Sequence, residues 1–422
     1  MQWNDIFQDR SANRHWDWHV AIFFLNVFLV VYGYSLREEA FQAIKAFRTV
    51  LVMLSLGALF FQQGGRFVFD KYKNWVLWVF IILNVLVLPF SVNFFRSLER
   101  LAAWLPFLIY ANYFVVYLFT QYTKDEAQIK LLQVFNLAYF YPVAVLFFYG
   151  VVFSTENIYG QNIGMYKANV LGWACGIFVL TGFDLYANRP MANWLRNVFF
   201  VVAILTLWGI VLTGSRSTYI GLAAGALVLV VRSGRISVQL KIGVTLCILA
   251  FAYYIINSAD SVVNLRAQYA DIRQQKGEIR FELAQKAINL LLEHPGLIFT
   301  GFGFDNFRAG LETYGGIKTD LASHNSYLEL LFGSGLFVFL FFMIFFAINA
   351  LRKYVIFDSP QFVFMPMLLI VPYFESNLNA GQFLFFPWMT FLFYYVHVTS
   401  SQRQVVDAPQ KPTKSLFQTT DN

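Results

Sequence analysis

The stretch LASHNSYLELLFGSGLFVFLFFMIFFAIN, residues 321–349, joins a short polar segment directly to a long apolar run. From Ser326 to Asn349 this run holds a single charged residue, Glu329. Continuous apolar runs of about 18 residues or more are typical of helices that cross a membrane. The stretch therefore predicts a membrane-spanning helix over 326–349, with a histidine and an asparagine at one membrane surface.

The composition of the whole chain extends this interpretation. Of 422 residues, 58% are hydrophobic and 13% are charged, and the mean hydropathy is +0.55. Soluble domains carry about 25% charged residues. The apolar runs are long and continuous, whereas the strands of a membrane barrel are short and alternate. The sequence predicts an all-α polytopic membrane protein.

Twelve apolar runs are candidates for transmembrane helices. They cover residues 19–36, 47–64, 75–92, 101–121, 131–152, 169–186, 195–213, 217–232, 239–257, 326–349, 361–375 and 382–398. The expected organisation is helices 1–9 within 1–257, a long hydrophilic loop over 258–325, helices 10–12 within 326–398 and a polar tail over 399–422. Long loops in compact proteins are functional or disordered, and this one is not low in complexity. We expect it to contain helices.

The distribution of basic residues predicts the orientation. Lysine and arginine are more numerous in the short segments on the side that receives both termini. By the positive-inside rule both termini are cytoplasmic, so the 258–325 loop lies outside. The net charge of +7 is spread over these short loops, which favours membrane orientation over nucleic-acid binding.

Two arginines on the predicted external side are candidates for binding an anion. Arg216 lies in LTGSRSTYIGL (212–222), at a joint between two spans and among serine and threonine residues suited to cap a helix. A helix N-terminus with an arginine can bind phosphate. Arg280 lies on the apolar face of a helix predicted within GEIRFELAQKAINLLLEHPG (277–296). The alternative for both is an interfacial anchor whose stem packs while its head reaches water or lipid phosphate.

His324 and Glu329 flank the start of the tenth predicted span. A neutral imidazole at the external surface is suited to take a proton from a sugar hydroxyl, since its unperturbed pKa is near 6.5. The alternative is a capping or hydrogen-bonding histidine, with Ser323 or Asn325 as the helix cap. An intramembrane carboxylate is a functional candidate by default. Glu329 could orient His324 or pair with an arginine, and a structural pair is the alternative.

Other motifs in the chain exclude several chemistries. GFGFDNF (301–307) lacks the Lys-Ser/Thr context of a nucleotide loop, so it predicts a turn in which Asp305 is a turn or capping residue. No histidines or carboxylates have metal-ligand spacing, and Cys175 and Cys247 lie in different apolar runs, which disfavours a disulfide. We expect neither metal nor cofactor. Without an ATP-binding motif, any group transfer must use an already activated substrate.

The order of these motifs resembles the O-antigen ligase and polymerase family. The resemblance rests on Ser-Arg-Ser-Thr at 215–218, the loop helix with Arg280 that runs to His-Pro-Gly at 294–296, Gly-Phe-Gly at 301–303, and His-Asn-Ser-Tyr-Leu at 324–328. It covers roughly residues 195–350. HNSYLELL is its most specific element.

The resemblance implies a twelve-helix, metal-independent glycosyltransferase of the GT-C type on the outer face of the bacterial inner membrane. Such enzymes take glycan from an undecaprenyl-pyrophosphate carrier, and the ligases attach it to lipid A–core oligosaccharide, with inversion at the anomeric carbon expected. Carried onto this sequence, Arg216 and Arg280 would hold the donor pyrophosphate and His324 would be the general base. Asn325, Tyr327 and Glu329 are supporting candidates.

Three functions remain open on the sequence. The single long loop before HNSYLELL favours a ligase, while an O-antigen or exopolysaccharide polymerase would use the same donor. A transporter of lipid-linked sugar would also need arginines for pyrophosphate. It should carry charged residues along a midplane cavity, however, whereas the candidates here cluster at one membrane face.

Overall fold

The computed structural model describes ten stretches of the chain, together with a few isolated positions between 238 and 253. These are residues 17–36, 38–62, 74–148, 168–186, 193–213, 216–232, 271–318, 325–356, 365–374 and 385–407. Within them the regular structure is helical throughout and includes no strand.

The helices before the long loop are α1 (Trp18–Gly33), α2 (Glu38–Gln62), α3 (Trp75–Val87), α4 (Phe94–Gln121), α5 (Lys124–Leu146), α6 (Ala168–Tyr186), α7 (Asn193–Thr213) and α8 (Arg216–Arg232). Those within the loop segment are α9 (Asp271–Glu293), α10 (Pro295–Thr300) and α11 (Phe307–Gly315). Those that follow it are α12 (Ser326–Phe342), α13 (Asn349–Ile356), α14 (Met365–Phe374) and α15 (Phe385–Asp407), with a π-helical turn over Met343–Ile348.

Each predicted apolar run overlaps one or more of these helices, except 239–257, most of which lies outside the described residues. Five described helical stretches are long and apolar enough to cross a membrane: Glu38–Gln62, Phe94–Gln121, Lys124–Leu146, Asn193–Ile210 and Ser326–Tyr354. Four shorter apolar helices accompany them: Trp18–Gly33, Trp75–Phe90, Val170–Leu185 and Ser217–Val228. The described chain is thus an all-α protein with several helices suited to a membrane.

Local signals explain where the helix boundaries differ from the predicted runs. α5 begins seven residues before its run, because Thr123 and Glu126 form a capping box: the Glu126 amide donates to Thr123 Oγ1 at 3.4 Å and the Thr123 amide donates to the Glu126 carboxylate at 3.2 Å. α4 begins at Phe94 because Asn93 caps it. α3 ends early, at Val87, where a 3₁₀ turn containing Pro89 follows.

Polar side chains inside the helical bundle have specific partners. Asp17, 2% exposed, caps α1 by accepting from the Val20 amide at 3.0 Å, and it also accepts from the hydroxyls of Tyr117 and Tyr122. Asn136 of α5 donates to the Phe178 carbonyl of α6 at 2.9 Å. A buried polar group costs free energy unless it is hydrogen-bonded, so these contacts fix the register between helices.

Large apolar side chains point outward from the bundle. They include Val50, Met53 and Leu54 of α2 and Val201, Ile204 and Trp208 of α7, all more than half exposed. Water would penalise such faces, whereas acyl chains solvate them. These helices therefore present lipid-facing surfaces.

The loop segment forms a second hydrophobic core of its own. Its members are Leu283, Ala287, Leu290 and Leu291 of α9, Leu297 of α10, Phe302, Phe307 and Leu311 around α11, and Phe332 of α12. The sequence prediction that this segment contains helices agrees with α9, α10 and α11. Since Phe332 belongs to α12, the second core attaches the loop segment to the first half of that helix.

Helix α12 is kinked where the loop segment meets it. Gly335 has φ 79° and ψ 176°, which interrupts the helix. This conformation is almost confined to glycine. A Cβ at Gly335 would also overlap the Phe299 carbonyl of α10, so the close approach of α10 to α12 requires the absence of a side chain there.

Candidate functional site

The N-terminus of α12 is fixed by Asn325. Its Oδ1 accepts from the amides of Tyr327 and Leu328, both at 3.0 Å, and the residue is 8% exposed. Of the two caps that the sequence left open, Asn325 is therefore the one used; Ser323 lies outside the described residues. His324 also lies outside them. The next residue, Asn325, is nevertheless a buried cap, so the backbone is fixed at the position adjacent to His324.

Tyr327 ties α12 to the helices behind it. Its hydroxyl donates to the Leu369 carbonyl of α14 at 2.9 Å, and its ring lies edge-on to Trp388 of α15, with centroids 6.0 Å apart. With its hydroxyl committed to a backbone carbonyl, Tyr327 serves to position the start of α12.

Glu329 is half-buried and lies in the first turn of α12. Its backbone amide donates to the Asn325 carbonyl at 2.8 Å. A carboxylate in the first turn interacts favourably with the positive end of the helix dipole. This position partly explains a carboxylate inside an apolar run. The free-energy cost of an acidic side chain in an apolar helix is lowest at the helix N-terminus.

Arg216 is the first residue of α8. Its side chain, like that of Arg280 in α9, lies outside what the structure describes. The sequence suggested Ser215, Ser217 and Thr218 as caps; Ser217 and Thr218 lie inside the helix, and Ser215 lies outside the described residues. Ser217 Oγ instead accepts from Trp173 Nε1 of α6 at 2.8 Å, and Thr218 is fully buried. The first turn of α8 is therefore held firmly against α6.

Helix α14 brings the starts of α8 and α12 together. Met367 of α14 packs on Gly221 in the second turn of α8, where a Cβ would lie 2.8 Å from Met367 Cγ. Two residues further along, the Leu369 carbonyl receives the Tyr327 hydroxyl. The start of α8, within the Ser-Arg-Ser-Thr motif, and the start of α12, directly after His-Asn, thus contact the same short stretch of α14.

The helix that carries Arg280 reaches the same neighbourhood through the second core. Leu283, one turn after Arg280, is 4% exposed and belongs to the core that includes Phe332 of α12. Phe332 in turn lies less than two turns after the Asn325 cap. α8, which begins at Arg216, therefore packs on α14, and α9, which bears Arg280, shares a core with α12, the helix that begins two residues after His324.

The GFGFDNF stretch is a turn, as the sequence predicted, and it contacts the corner between α3 and α4, residues 91–100. The Phe302 amide donates to the Phe332 carbonyl of α12 at 2.5 Å, and the Phe302 carbonyl accepts from the Val92 amide at 2.9 Å. Asp305 has φ 58° and pairs with Arg100, its Oδ2 lying 3.2 Å from Arg100 Nε. Contact between the loop segment and this corner places both at the same end of the bundle.

Arg48 is a candidate that sequence reasoning did not separate from ordinary interface residues. It is 2% exposed within α2, and its Cζ lies 4.4 Å from the ring centroid of Phe107 and 5.3 Å from that of Phe386. An intramembrane cation is a functional candidate by default. The available signal was its position inside the run 47–64, where it is the single charged residue.

These features define an α-helical membrane protein in which a folded hydrophilic segment packs on one end of the helices, beside converging helix N-termini. Residues 201–343 match the family model described as O-antigen ligase. The match confirms the resemblance found in the sequence, and it includes Arg216, Arg280, His324, Asn325, Tyr327 and Glu329. The family implies a glycosyltransferase-like enzyme of O-antigen pathways, with lipid-linked glycan and lipid A–core as partners in general terms. No curated protein matches the chain.

Proposed function

We propose that this protein is an O-antigen ligase that transfers glycan from undecaprenyl pyrophosphate to lipid A–core oligosaccharide. Two contacts carry the proposal: α8 and the start of α12 both pack on α14, and α9 shares a hydrophobic core with α12. These helices contain or directly follow Arg216, Arg280 and His324. The family match over 201–343 supports the same chemistry.

In the proposed reaction, an acceptor sugar hydroxyl attacks the anomeric carbon of the donor glycan. The bond from that carbon to the pyrophosphate oxygen breaks, and undecaprenyl pyrophosphate leaves with the electron pair. His324 takes the proton of the attacking hydroxyl, a contribution typically worth ~10²–10⁴-fold in rate. Arg216 and Arg280 neutralise the charge that develops on the leaving pyrophosphate, which makes a metal ion unnecessary.

The placement in the cell is part of the proposal. The site lies at the periplasmic face of the bacterial inner membrane, in a GT-C-type arrangement of twelve transmembrane helices with both termini in the cytoplasm. Contact between the 301–307 turn and the α3–α4 corner supports this orientation. With a cytoplasmic N-terminus, the third predicted span ends on the external side, so the sequence predicts this side for the α3–α4 corner as well as for the 258–325 loop.

A polymerase of the same family is the second candidate, because it would use the same donor and the same three side chains. It differs in its acceptor, which is a second carrier-linked glycan. A transporter of lipid-linked sugar is less well supported, since the predicted topology puts the candidate residues at one membrane face rather than along a path through the membrane.

Glycan transfer by the purified protein tests the proposal. The reaction contains undecaprenyl-pyrophosphate-linked glycan and lipid A–core, with a chelator present, and compares the wild type with His324→Ala. A ligase gives product on lipid A–core with the wild type and not with the folded variant. Chain growth on the carrier alone would identify a polymerase, and full activity of His324→Ala would remove the histidine from the chemistry.

The pH dependence gives a second test of the general base. Only a neutral imidazole accepts a proton, so the rate should rise with pH through the range near the unperturbed histidine pKa of about 6.5 and then level off. His324→Gln keeps a polar side chain of similar reach but cannot act as a base. Any activity that remains in it should lack this rise.

A further inference from the structure

The GFGFDNF turn contacts two separate parts of the membrane bundle. On one side, the Phe302 amide donates to the Phe332 carbonyl of α12 at 2.5 Å. On the other, the Phe302 carbonyl accepts from the Val92 amide at 2.9 Å, and Ser97 Oγ of α4 donates to the Phe304 carbonyl at 3.1 Å. The turn therefore bridges α12 and the α3–α4 corner through its backbone.

Side chains reinforce the contact with the corner. Asn306, 1% exposed, donates from Nδ2 to the Asn93 carbonyl at 3.0 Å and to Ser97 Oγ at 2.8 Å. Asp305 Oδ2 lies 3.2 Å from Arg100 Nε and 4.0 Å from Arg96 Nη2. We refer to the contacts of Phe302, Phe304, Asp305 and Asn306 with residues 91–100 as the clasp.

The clasp bears on the proposed chemistry because the loop segment contains the helix of Arg280. α9, the helix of Arg280, is attached to the rest of the protein through the second core, which meets the membrane helices mainly at the first half of α12. A segment that is attached along one helix only retains rotational freedom about the axis of that helix. A second attachment, at the α3–α4 corner, removes this freedom.

We propose that the clasp is a positioning device, with Asp305 and Arg100 as positioning residues that fix α9 relative to the N-terminus of α12. The proposal rests on the proposed function, in which Arg280 stabilises the leaving group while His324 activates the acceptor. These two groups act on opposite sides of one anomeric carbon, so their separation must be held closely. A misplacement of about 1 Å costs up to about 100-fold in rate.

The ion pair can be removed with little disturbance of the fold. Asp305→Asn removes the charge, and asparagine tolerates the left-handed conformation as aspartate does. Arg100→Gln removes the 3.2 Å contact from the α4 side and leaves the longer one to Arg96, while Arg100→Lys keeps the charge. Glu312→Gln is the matched control, because Glu312 pairs with Lys318 at 3.8 Å in the same segment, both side chains are exposed, and neither touches the corner.

Steady-state transfer kinetics distinguish positioning from a general structural role. We expect Asp305→Asn and Arg100→Gln to lower kcat by about 2- to 5-fold while the donor KM is unchanged, because a half-exposed ion pair favours the clasped position by no more than about this factor. Arg100→Lys should restore most of kcat, and Glu312→Gln should match the wild type. Half-exposed ion pairs contribute little to stability, so the midpoint of thermal unfolding should not change. Unchanged kcat in Asp305→Asn, or an equal loss in Glu312→Gln, would overturn the proposal.

A distance measurement tests the clasp without relying on activity. Spin labels at Phe95→Cys on α4 and Lys286→Cys on α9, both exposed, are placed in a background with Cys175→Ala and Cys247→Ala. Asp305→Asn should broaden the distance distribution, and Glu312→Gln should leave it narrow. A distribution that stays narrow in Asp305→Asn would refute the clasp. Absence of glycan transfer by the wild type would count against the proposed function alone.

Discussion

The backbone amide of Phe302 donates to the carbonyl oxygen of Phe332, 2.5 Å away, three residues before α12 kinks at Gly335. A kink interrupts the hydrogen-bond ladder of a helix, and carbonyl oxygens beside it become accessible to partners from elsewhere. The Phe302 amide of the loop segment donates to one of these carbonyl oxygens. Gly335 thus determines where the hydrophilic segment attaches to α12.

Gly335→Ala should destabilise the protein strongly. The backbone conformation alone costs about 1–3 kcal/mol for a residue with a side chain, and the Cβ would also overlap the Phe299 carbonyl. We expect a clear drop in the midpoint of thermal unfolding in detergent. Gly57→Ala in α2 is the control: a Cβ there meets nothing within 4 Å, so the change should be neutral or stabilising by about 0.5–1 kcal/mol. Equal stability of the two variants would contradict the role of the kink.

Asn325→Ala should affect both stability and activity. The variant removes the cap of α12, which costs about 0.5–2 kcal/mol, and loosens the backbone next to His324. Asn325→Ser keeps a capping oxygen and should retain most of both properties. Unfolding midpoints and transfer rates of the two variants provide the comparison. The assignment fails if alanine and serine behave alike.

Tyr327→Phe should lower stability without abolishing transfer. The hydroxyl donates to the Leu369 carbonyl, and a typical hydrogen bond contributes about 0.5–1.5 kcal/mol, while the ring contacts with Trp388 remain. We expect kcat to stay within a few-fold of the wild type. Loss of activity at an unchanged unfolding midpoint would show instead that the hydroxyl takes part in the chemistry.

Arg48→Met should lower transfer by at least about 10-fold while the protein still folds. The change removes a cation–π contact worth about 0.5–2 kcal/mol, but it also removes the cost of burying a charge, so the net change in stability is small. Arg196→Met on the exposed start of α7 is the control and should leave transfer unchanged. Wild-type activity in Arg48→Met would make this arginine purely structural.

Part of the site could be predicted from local sequence. HNSYLELL placed the start of α12 at Ser326, because a capping residue before a long apolar run is a local signal. GFGFDNF was read correctly as a turn for the same reason. The boundaries of α3, α4 and α5 were less accurate, since hydropathy marks the part of a helix inside lipid, whereas capping residues mark its actual ends.

The buried position of Arg48 and the partners of Asp305 could not be predicted. Both depend on residues far away in the chain: Arg48 on Phe107 and Phe386, and Asp305 on Arg100. The local sequence around an arginine in an apolar run looks the same whether its side chain reaches the surface or packs between aromatic rings. The difference lies in how the helices are arranged.

The sequence by itself determined the class of protein, most of its helical segments, its resemblance to the O-antigen ligase family and the residue types of the proposed chemistry. These follow from hydrophobic length, charge distribution and short motifs, all of which act within one or two helical turns. The tertiary structure decided that α8 and α12 meet at Met367 and Leu369, and that one turn joins the loop segment to the α3–α4 corner. Such contacts join segments up to about two hundred residues apart, and only the packing of whole helices in three dimensions brings them together.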